Sequence, residues 1–170
     1  MKGVGDLRIY TDGSYSFMGS TSGRGGWAYI QVVEGEIVKE GRGSIWNRKE
    51  WCGCKSKDRV DRMELMAVTQ ALVETVCNTT SEVHIYSDSK YVRGGHTLGR
   101  AYYMNKTCPD PNRDLWLLLF RLKKRVRSFQ IRKVRRRSDE YTCRVDDLAK
   151  SGLRQRWYCN TNTERRCSDV

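Results

Sequence analysis

The order of the hydrophobic segments is the feature that most restricts the fold of this chain. Three strand-like segments come first, and helical and strand-like segments alternate after them. The predicted strands are Leu7–Thr11, Trp27–Val33, Ile37–Gly43, Val83–Tyr86 and Phe129–Val134, and the predicted helices are Arg62–Val76, Ser89–Leu98, Arg113–Val126 and Tyr141–Leu153. The second and third strands are close enough to form a hairpin. This order predicts an α/β fold, a mixed five-stranded sheet flanked by helices.

The length and the polar segments suggest how the chain is divided. A chain of 170 residues is long enough for one domain with a hydrophobic core. We expect this domain to span residues 1–153. Residues 154–170 are polar and lack a hydrophobic period, a composition that permits disorder, and we predict that they form a tail. The segments Ser14–Gly26 and Trp46–Val60 are predicted to be loops, and Gly99–Asn112 a connector.

The charge of the chain points to a polyanionic partner. Lys and Arg number 32 against 20 Asp and Glu, so the formal net charge is +12 at pH 7. Neutralising phosphates releases counterions, which gives affinity for nucleic acid without sequence selectivity. A ribosomal protein or a membrane-surface binder would have a similar charge. The excess of basic residues therefore restricts the class of partner and does not indicate which reaction the protein catalyses.

The cysteines and the lack of targeting segments indicate the compartment. The seven cysteines are scattered, as expected for free thiols in a reducing environment. No apolar run approaches the roughly 20 residues of a membrane span, and no signal peptide precedes the first strand. We therefore expect a cytoplasmic, monomeric protein with no membrane partner. Cys52-Gly53-Cys54 has a tighter spacing than zinc ligands usually have, so ordinary thiols are the preferred interpretation.

Four acidic residues stand at the edges of predicted elements, and each has an ordinary structural explanation. Asp12 begins an Asp-Gly turn signal. Asp61 and Glu64 have the spacing of a capping box at a helix start. Asp88 opens a helix, as an N-cap residue does. The fourth acid, Asp146, lies inside the last helix. Each acid alone favours the structural explanation, whereas their occurrence together favours a site.

Helical position adds an argument for two of these acids. Glu64 shares its helix face with Val68 and Ala71, so its carboxylate is expected to point inward, where a charge needs a partner or a metal. At about 100° per residue, Asp146 lies at the border of the apolar face and Asp147 points to solvent. Converging carboxylates form the all-oxygen site that Mg²⁺ or Mn²⁺ prefers. The first hypothesis is therefore a metal-dependent nuclease.

The segments around these acids resemble a known family. The matching motifs run in the family's order from about Leu7 to Leu153, and together they are highly specific. They are Tyr10-Thr11-Asp12-Gly13-Ser14, Asp61-Arg62-Met63-Glu64-Leu65-Met66-Ala67, Ser87-Asp88-Ser89-Lys90-Tyr91-Val92, Asp114-Leu115-Trp116 and Asp146-Asp147-Leu148-Ala149. With these motifs the chain resembles the type 1 ribonuclease H family.

The resemblance implies a metal-dependent endonuclease that hydrolyses the RNA strand of RNA/DNA hybrids. It implies two Mg²⁺ ions, for which Mn²⁺ substitutes, and products with 5′-phosphate and 3′-hydroxyl ends. Asp12 would contact both ions, and Asp146 would help to hold the ion that activates water. Glu64 and Asp88 would hold the ion beside the leaving oxygen. The substrate contacts that we expect are Ser14, Tyr15, Asp61, Lys90, Arg136 and Arg137.

The chain departs from the family pattern in the loop before the last helix. The family often has a histidine there that assists proton transfer or product release, whereas residues 135–141 contain none. We expect that Glu140 or an arginine substitutes, or that turnover is slower. Asp61 and Lys90 stand where the family commonly has Asn and Gln, so substrate contacts follow less directly from the resemblance than metal ligands do.

Two alternatives stay open. One is a nuclease of the same fold that cuts branched DNA, such as a four-way junction resolvase, and the other is a non-catalytic nucleic-acid-binding relative. Between Arg121 and Arg137 there are ten Lys or Arg and no acid. Such a run is either a solvated face or a nucleic-acid footprint, and its overlap with a helix and the last strand favours the footprint.

Overall fold

The computed structural model describes residues 6–17, 23–47, 56–76 and 82–154, which form one sheet and four helices. The strands are β1 (Leu7–Phe17), β2 (Gly23–Val33), β3 (Glu36–Asn47), β4 (Glu82–Ser87) and β5 (Ser128–Lys133). The helices are α1 (Ser56–Val76), α2 (Lys90–Met104), α3 (Arg113–Lys123) and α4 (Glu140–Gly152). The predicted fold class and the order of its elements are confirmed.

The sheet has the strand order β3-β2-β1-β4-β5. The first three strands pair antiparallel, and β1 pairs parallel with β4, which pairs parallel with β5. Strand β1 therefore lies in the centre, with β2 on one side and β4 on the other. Lys133 is exposed on the edge strand β5.

The alternation along β1 divides the core between the two faces of the sheet. Ile9 packs with α1, α2 and α3 on one face, in a cluster that includes Leu72 and Trp116. Tyr10, one residue later, packs on the other face with α4 through Leu148. Successive strand residues point to opposite faces, so one central strand contributes to both clusters. Burial of both faces holds β1 and its side chains in fixed positions.

Strands β1 and β2 extend into the predicted loop Ser14–Gly26, and glycines in and beside this loop allow close packing. A Cβ at Gly13 would lie 2.3 Å from the amide nitrogen of Glu64, and a Cβ at Gly26 would lie 2.2 Å from the carbonyl oxygen of Ala149. The glycines are therefore needed where helices α1 and α4 approach the sheet. Asp12 consequently lies inside a paired strand, whereas its sequence context suggests a strand end or a turn.

Helix α1 begins at Ser56, six residues before the predicted start at Arg62. The interpretation of Asp61 and Glu64 as a capping box at the helix start is therefore wrong, since both lie inside the helix. The predicted loop Trp46–Val60 lies partly outside the described residues. Cys52 and Cys54 lie outside them entirely, and so do all residues of the predicted tail except Arg154.

The connector after α2 is held by a buried hydrogen-bond network. Helix α2 kinks at Gly99, which has a φ of 78°, one residue after the predicted helix end. Trp116, fully buried in α3, donates to the hydroxyl of Tyr91 at 2.8 Å, and that hydroxyl donates to Asp110 at 2.7 Å. Asn112 also donates to Tyr91, at 3.2 Å. The network joins α2, the connector and the start of α3.

The helices among the described residues lack the combination of length and apolar character that crossing a bilayer requires.

The environment of His96 predicts an acid-sensitive fold. Burial, followed by the charge of Lys123, lowers the pKa of His96 from its usual 6.5 to about 4. The neutral ring stacks on Phe120 and accepts a hydrogen bond from Lys123 at 3.0 Å. The unfolded chain takes up a proton at a higher pH than the folded chain, so the stability from this group is present above pH 6.5 and is lost toward pH 4.

NMR titration of the wild type is expected to give His96 a pKa below 5. The variant His96→Phe keeps a stacking ring without a titrating group, so its urea stability is expected to fall less between pH 6.5 and pH 4 than that of the wild type. Titration of His96 near its usual value would contradict the buried neutral ring.

Candidate active site

Three of the predicted site acids converge at the centre of the sheet. Asp12 lies within β1, Asp88 directly follows the neighbouring parallel strand β4, and Glu64 projects from α1, which packs against β1. One carboxylate oxygen from each of the three lies within 4.8 Å of the others. Asp12 and Glu64 are only 5% and 8% exposed. Acids from three separate elements therefore form one group, in which Asp12 and Glu64 are buried and Asp88 is half-buried.

Local backbone geometry turns Asp88 and Glu64 toward this group. Ser89, and not Asp88, is the N-cap of α2, because its hydroxyl accepts a hydrogen bond from the amide of Val92 at 3.3 Å. The N-cap explanation of Asp88 is therefore wrong, and its carboxylate joins the acid group. Gly13 lets the backbone of α1 lie directly against β1 at Glu64. The small residue and the cap therefore position two of the three acids.

Burial and repulsion from neighbouring acids make ionisation of Asp12 and Glu64 unfavourable. Burial, followed by the charge of Asp88, raises the pKa of Asp12 from 3.8 to about 7. Burial, followed by the charge of Asp12, raises the pKa of Glu64 well above its usual value. The nearby Arg136 opposes both shifts. A divalent cation bound among the carboxylates would offset this repulsion far more effectively than this single guanidinium.

Two oxygens of the group have unmet bonding capacity. Oδ2 of Asp12 and Oε2 of Glu64 are buried and have no hydrogen-bond partner among the described residues. A buried carboxylate oxygen without a partner is costly, and a hard cation with oxygen ligands satisfies it. The residues therefore fit a Mg²⁺ or Mn²⁺ ion, with Asp12, Glu64 and Asp88 as the ligands nearest one another.

Asp146 lies beside this group but is held by cations. It is 1% exposed, whereas the neighbouring Asp147 is exposed, as the helical angle predicted. Arg136 and Arg137 each donate to its carboxylate at 2.6 Å, and Lys150 donates at 2.5 Å. Burial raises the pKa of Asp146, but these hydrogen bonds outweigh it and hold the pKa well below its usual range.

Asp146 nevertheless lines the same small cavity as two of the other acids. A cavity of about 10 Å³, enough for little more than a water molecule, is lined by Asp12, Asp88, Arg136 and Asp146. The charge of Asp146 also raises the pKa of Asp12. The structure thus brings all four predicted acids to one place, with three grouped closely and the fourth neutralised by cations.

The predicted substrate contacts lie in two different settings. Ser14 and Tyr15 follow Asp12 on β1, and the Tyr15 hydroxyl accepts a hydrogen bond from Arg59 at 3.4 Å. Asp61 lies on α1, and Lys90 is exposed at the start of α2. The guanidinium groups of the remaining two predicted substrate contacts, Arg136 and Arg137, form ion pairs with the carboxylate of Asp146.

Sequence reasoning missed Lys150 and a basic cavity. Lys150 follows Asp146 by four residues in α4, a spacing that is typical of helical ion pairs and that is visible in the sequence. The basic cavity, with a volume of about 260 Å³, lies between α2 and α3. It is lined by Arg100, Met104, Arg113, Leu117, Arg121 and Lys124. The sequence run Arg121–Arg137 thus includes residues of this cavity and residues that contact Asp146.

The repulsion among the acids predicts a stabilising substitution in metal-free protein. Asp12→Asn removes a buried charge beside two other carboxylates, so in EDTA at pH 8 we expect it to raise the free energy of unfolding by about 1–3 kcal/mol. Mg²⁺ is expected to stabilise the wild type much more than this variant, because the ion binds the folded state. Urea unfolding with and without Mg²⁺ measures both effects.

Asp147→Asn is the matched control, since Asp147 is exposed on α4. Its unfolding free energy is expected to stay within about 0.5 kcal/mol of the wild type, with full stabilisation by Mg²⁺. Equal responses of the two variants to Mg²⁺ would contradict a cation site at Asp12.

Comparisons with known proteins agree with this fold. A family model described as RNase H matches residues 5–154, a range that includes all four acids. The ribonuclease H of Syntrophomonas wolfei is 33% identical over 159 residues, which cover 88% of this chain and 97% of that protein. The similarity therefore extends along nearly the whole of that relative.

Solved structures have the same fold at lower identity. RNase H1 from the halophilic archaeon Halobacterium salinarum NRC-1 superposes with a TM-score of 0.67 at 22% identity, covering 88% of this chain and 98% of that chain. LC11-RNase H1, solved in complex with an RNA/DNA hybrid, gives a TM-score of 0.61 at 15% identity, with coverage of 88% and 97%. The resemblance predicted from the motifs is confirmed, and the chain belongs to the ribonuclease H family.

Proposed function

We propose that this protein is an endonuclease that hydrolyses the RNA strand of RNA/DNA hybrids in a metal-dependent reaction. The observation that carries the proposal is the group of Asp12, Glu64 and Asp88, in which two buried oxygens have no partner among the described residues. Membership of the ribonuclease H family supports the substrate class. The hybrid bound to LC11-RNase H1, which shares the fold, also supports it.

We propose two Mg²⁺ ions as the cofactor, with Mn²⁺ as a substitute. Asp12 would contact both ions, Glu64 and Asp88 would hold one, and Asp146 would help to hold the other. The bound ions would activate the attacking water and stabilise charge on the leaving oxygen. The products of this proposed reaction would have 5′-phosphate and 3′-hydroxyl ends.

The chain contributes rigid placement of these ligands. Asp12 is fixed because β1 is paired on both sides, antiparallel with β2 and parallel with β4. Glu64 is fixed because the helix that carries it packs its buried residues Leu65 and Val68 against the sheet. Ligands held on regular elements lose little freedom when they bind an ion, so the site is prepared before the substrate arrives.

We propose that substrate discrimination comes from residues around the acid group. Four of the six predicted contacts, Ser14 and Tyr15 on β1, Asp61 on α1 and Lys90 on α2, lie on the same elements that carry or adjoin the acids. Hydroxyl and carboxylate groups can hydrogen-bond to 2′-hydroxyls, the groups that distinguish RNA from DNA.

The basic cavity is proposed to contact the nucleic-acid backbone. Arg100, Arg113, Arg121 and Lys124 bring four positive charges to one cavity between α2 and α3. Met104 and Leu117 add an apolar surface there. A backbone phosphate placed near these cations would release counterions and increase affinity in a salt-dependent way.

The proposed activity predicts a specific cleavage pattern. Labelled RNA/DNA hybrid, duplex DNA and a four-way DNA junction are incubated with the protein and Mg²⁺. We expect cleavage of the RNA strand only, with ends that carry a 5′-phosphate and a 3′-hydroxyl. Asp12→Asn is expected to lower the rate by at least about 100-fold, because a shared ligand is removed, and Asp147→Asn is expected to retain it.

The alternatives give different results in the same experiment. Cleavage of the junction alone would indicate a resolvase. Binding of hybrid without cleavage by any form would indicate a non-catalytic relative. Either result would contradict the proposed hybrid-cleaving activity.

The basic cavity predicts a change in the salt dependence of binding. In the Asp12→Asn background, Arg121→Ala with Lys124→Ala is expected to weaken hybrid binding. It should also reduce the slope of log affinity against log salt by about 0.9 for each phosphate that the protein no longer neutralises. Fluorescence anisotropy at several salt concentrations measures both quantities.

The matched control removes the same charge from the same basic run. Arg125 and Arg127 are exposed and do not line the cavity. Arg125→Ala with Arg127→Ala is expected to change affinity less. An equal decrease in affinity for both pairs would indicate a general effect of net charge and would contradict binding at the cavity.

A further inference from the structure

We propose that Arg136 is a positioning residue that fixes the Asp146 carboxylate and competes with a divalent cation for it. The inference rests on the proposed function, because it concerns the ion that Asp146 would help to hold. We call Arg136, Arg137 and Lys150 the Asp146 clamp.

The Asp146 clamp occupies the bonding capacity of the carboxylate. Both bonds to Oδ1 come from Arg136, with Nε at 3.2 Å and Nη2 at 2.6 Å. Oδ2 accepts from Arg137 at 2.6 Å and from Lys150 at 2.5 Å. A carboxylate offers about four lone-pair positions. Four donor atoms therefore fill this carboxylate, and a cation can bind it only if a donor leaves.

The neighbouring acids have the opposite arrangement. Oδ2 of Asp12 and Oε2 of Glu64 have no partner among the described residues, and these two acids group with Asp88 within 4.8 Å. Asp146 is not a member of that group, although it lines a cavity with Asp12 and Asp88. The protein therefore offers one cation position with open oxygens and a second position that its own cations already fill.

The clamp reaches a buried carboxylate from the surface. The side chains of Arg136 and Arg137 are 56% and 44% exposed, whereas that of Asp146 is 1% exposed. Arg137 adopts a φ of 50°, a left-handed conformation that costs a non-glycine residue energy. Its bonds to Asp146 and Asp147 accompany this conformation. The guanidinium groups are thus accessible to an incoming phosphate, for which arginine has high affinity.

A substitution at Arg136 can distinguish competition with a divalent cation for Asp146 from support of the fold. Removing Arg136 frees Oδ1 of Asp146, because both donors to that atom belong to Arg136. Arg137 and Lys150 still pair with Oδ2, so the buried charge is not left alone. A residue that only supported the fold would change stability without changing the number of bound ions.

The experiment counts Mn²⁺ ions bound by the full chain without nucleic acid, using electron paramagnetic resonance of free Mn²⁺. We expect the wild type to bind one ion tightly, and Arg136→Ala to bind a second with an affinity raised by about tenfold or more. Arg136→Lys, which restores a positive charge, is expected to lie between the two. Circular dichroism verifies folding of each variant.

Arg135→Ala is the matched control, since Arg135 is an exposed arginine in the same loop. It is expected to bind Mn²⁺ as the wild type does. Two tightly bound ions in the wild type, an unchanged count in Arg136→Ala, or an equal gain in Arg135→Ala would each overturn the proposal. Failure of the proposed function is detected separately, as the absence of hybrid cleavage by the wild type.

Discussion

The close approach of α1 to β1 is the constraint on which the site depends. The missing side chain of Gly13 allows the helix backbone to lie directly against the strand, and Glu64 comes beside Asp12 as a result. Any larger residue at Gly13 would push the helix outward, because a Cβ there would lie 2.3 Å from the Glu64 amide. The pairing of β1 with the parallel strand β4 then adds Asp88 to the same point. One packing contact and one strand pairing therefore assemble three acids from distant parts of the sequence.

The assembly of three acids places negative charge in a strongly basic protein, and the acidic and basic residues have complementary uses. Asp12 and Glu64 are buried and lack the solvation that would favour ionisation, so the pKa values of these two carboxyls are raised in the absence of a cation. The basic residues behind the net charge of +12 lie outside the acid group, for example in the basic cavity between α2 and α3 and in the Asp146 clamp. The basic residues can attract a polyanion while the acids remain available for a divalent cation. Separation of the two charges within one domain permits both binding and hydrolysis.

The sequence predicted the sheet, the helices, the inward direction of Glu64 and the outward direction of Asp147, because each rests on local periodicity. It did not predict that Gly13 and Gly26 lie within strands, since glycine is also the residue of turns and only the packed helices distinguish the two uses. The early start of α1 at Ser56 was missed for a related reason, because the polar composition of that turn resembles a loop. Contacts between distant residues, such as Arg136 with Asp146, have no periodic signal and depend on the path of the loop.

The arginine in the loop before α4 alters what that loop can do chemically. The family that the motifs resemble often has a histidine in this loop, a group that exchanges protons near neutral pH. Arginine stays protonated, and the hydrogen bond to Asp146 raises the pKa of Arg136 further. Arg136 therefore cannot shuttle protons, and its available actions are to hold a carboxylate or to transfer its hydrogen bonds to a phosphate. Protons released in the reaction must then pass to water or to a carboxylate. The arginines of this loop thus supply fixed positive charge and not acid–base exchange.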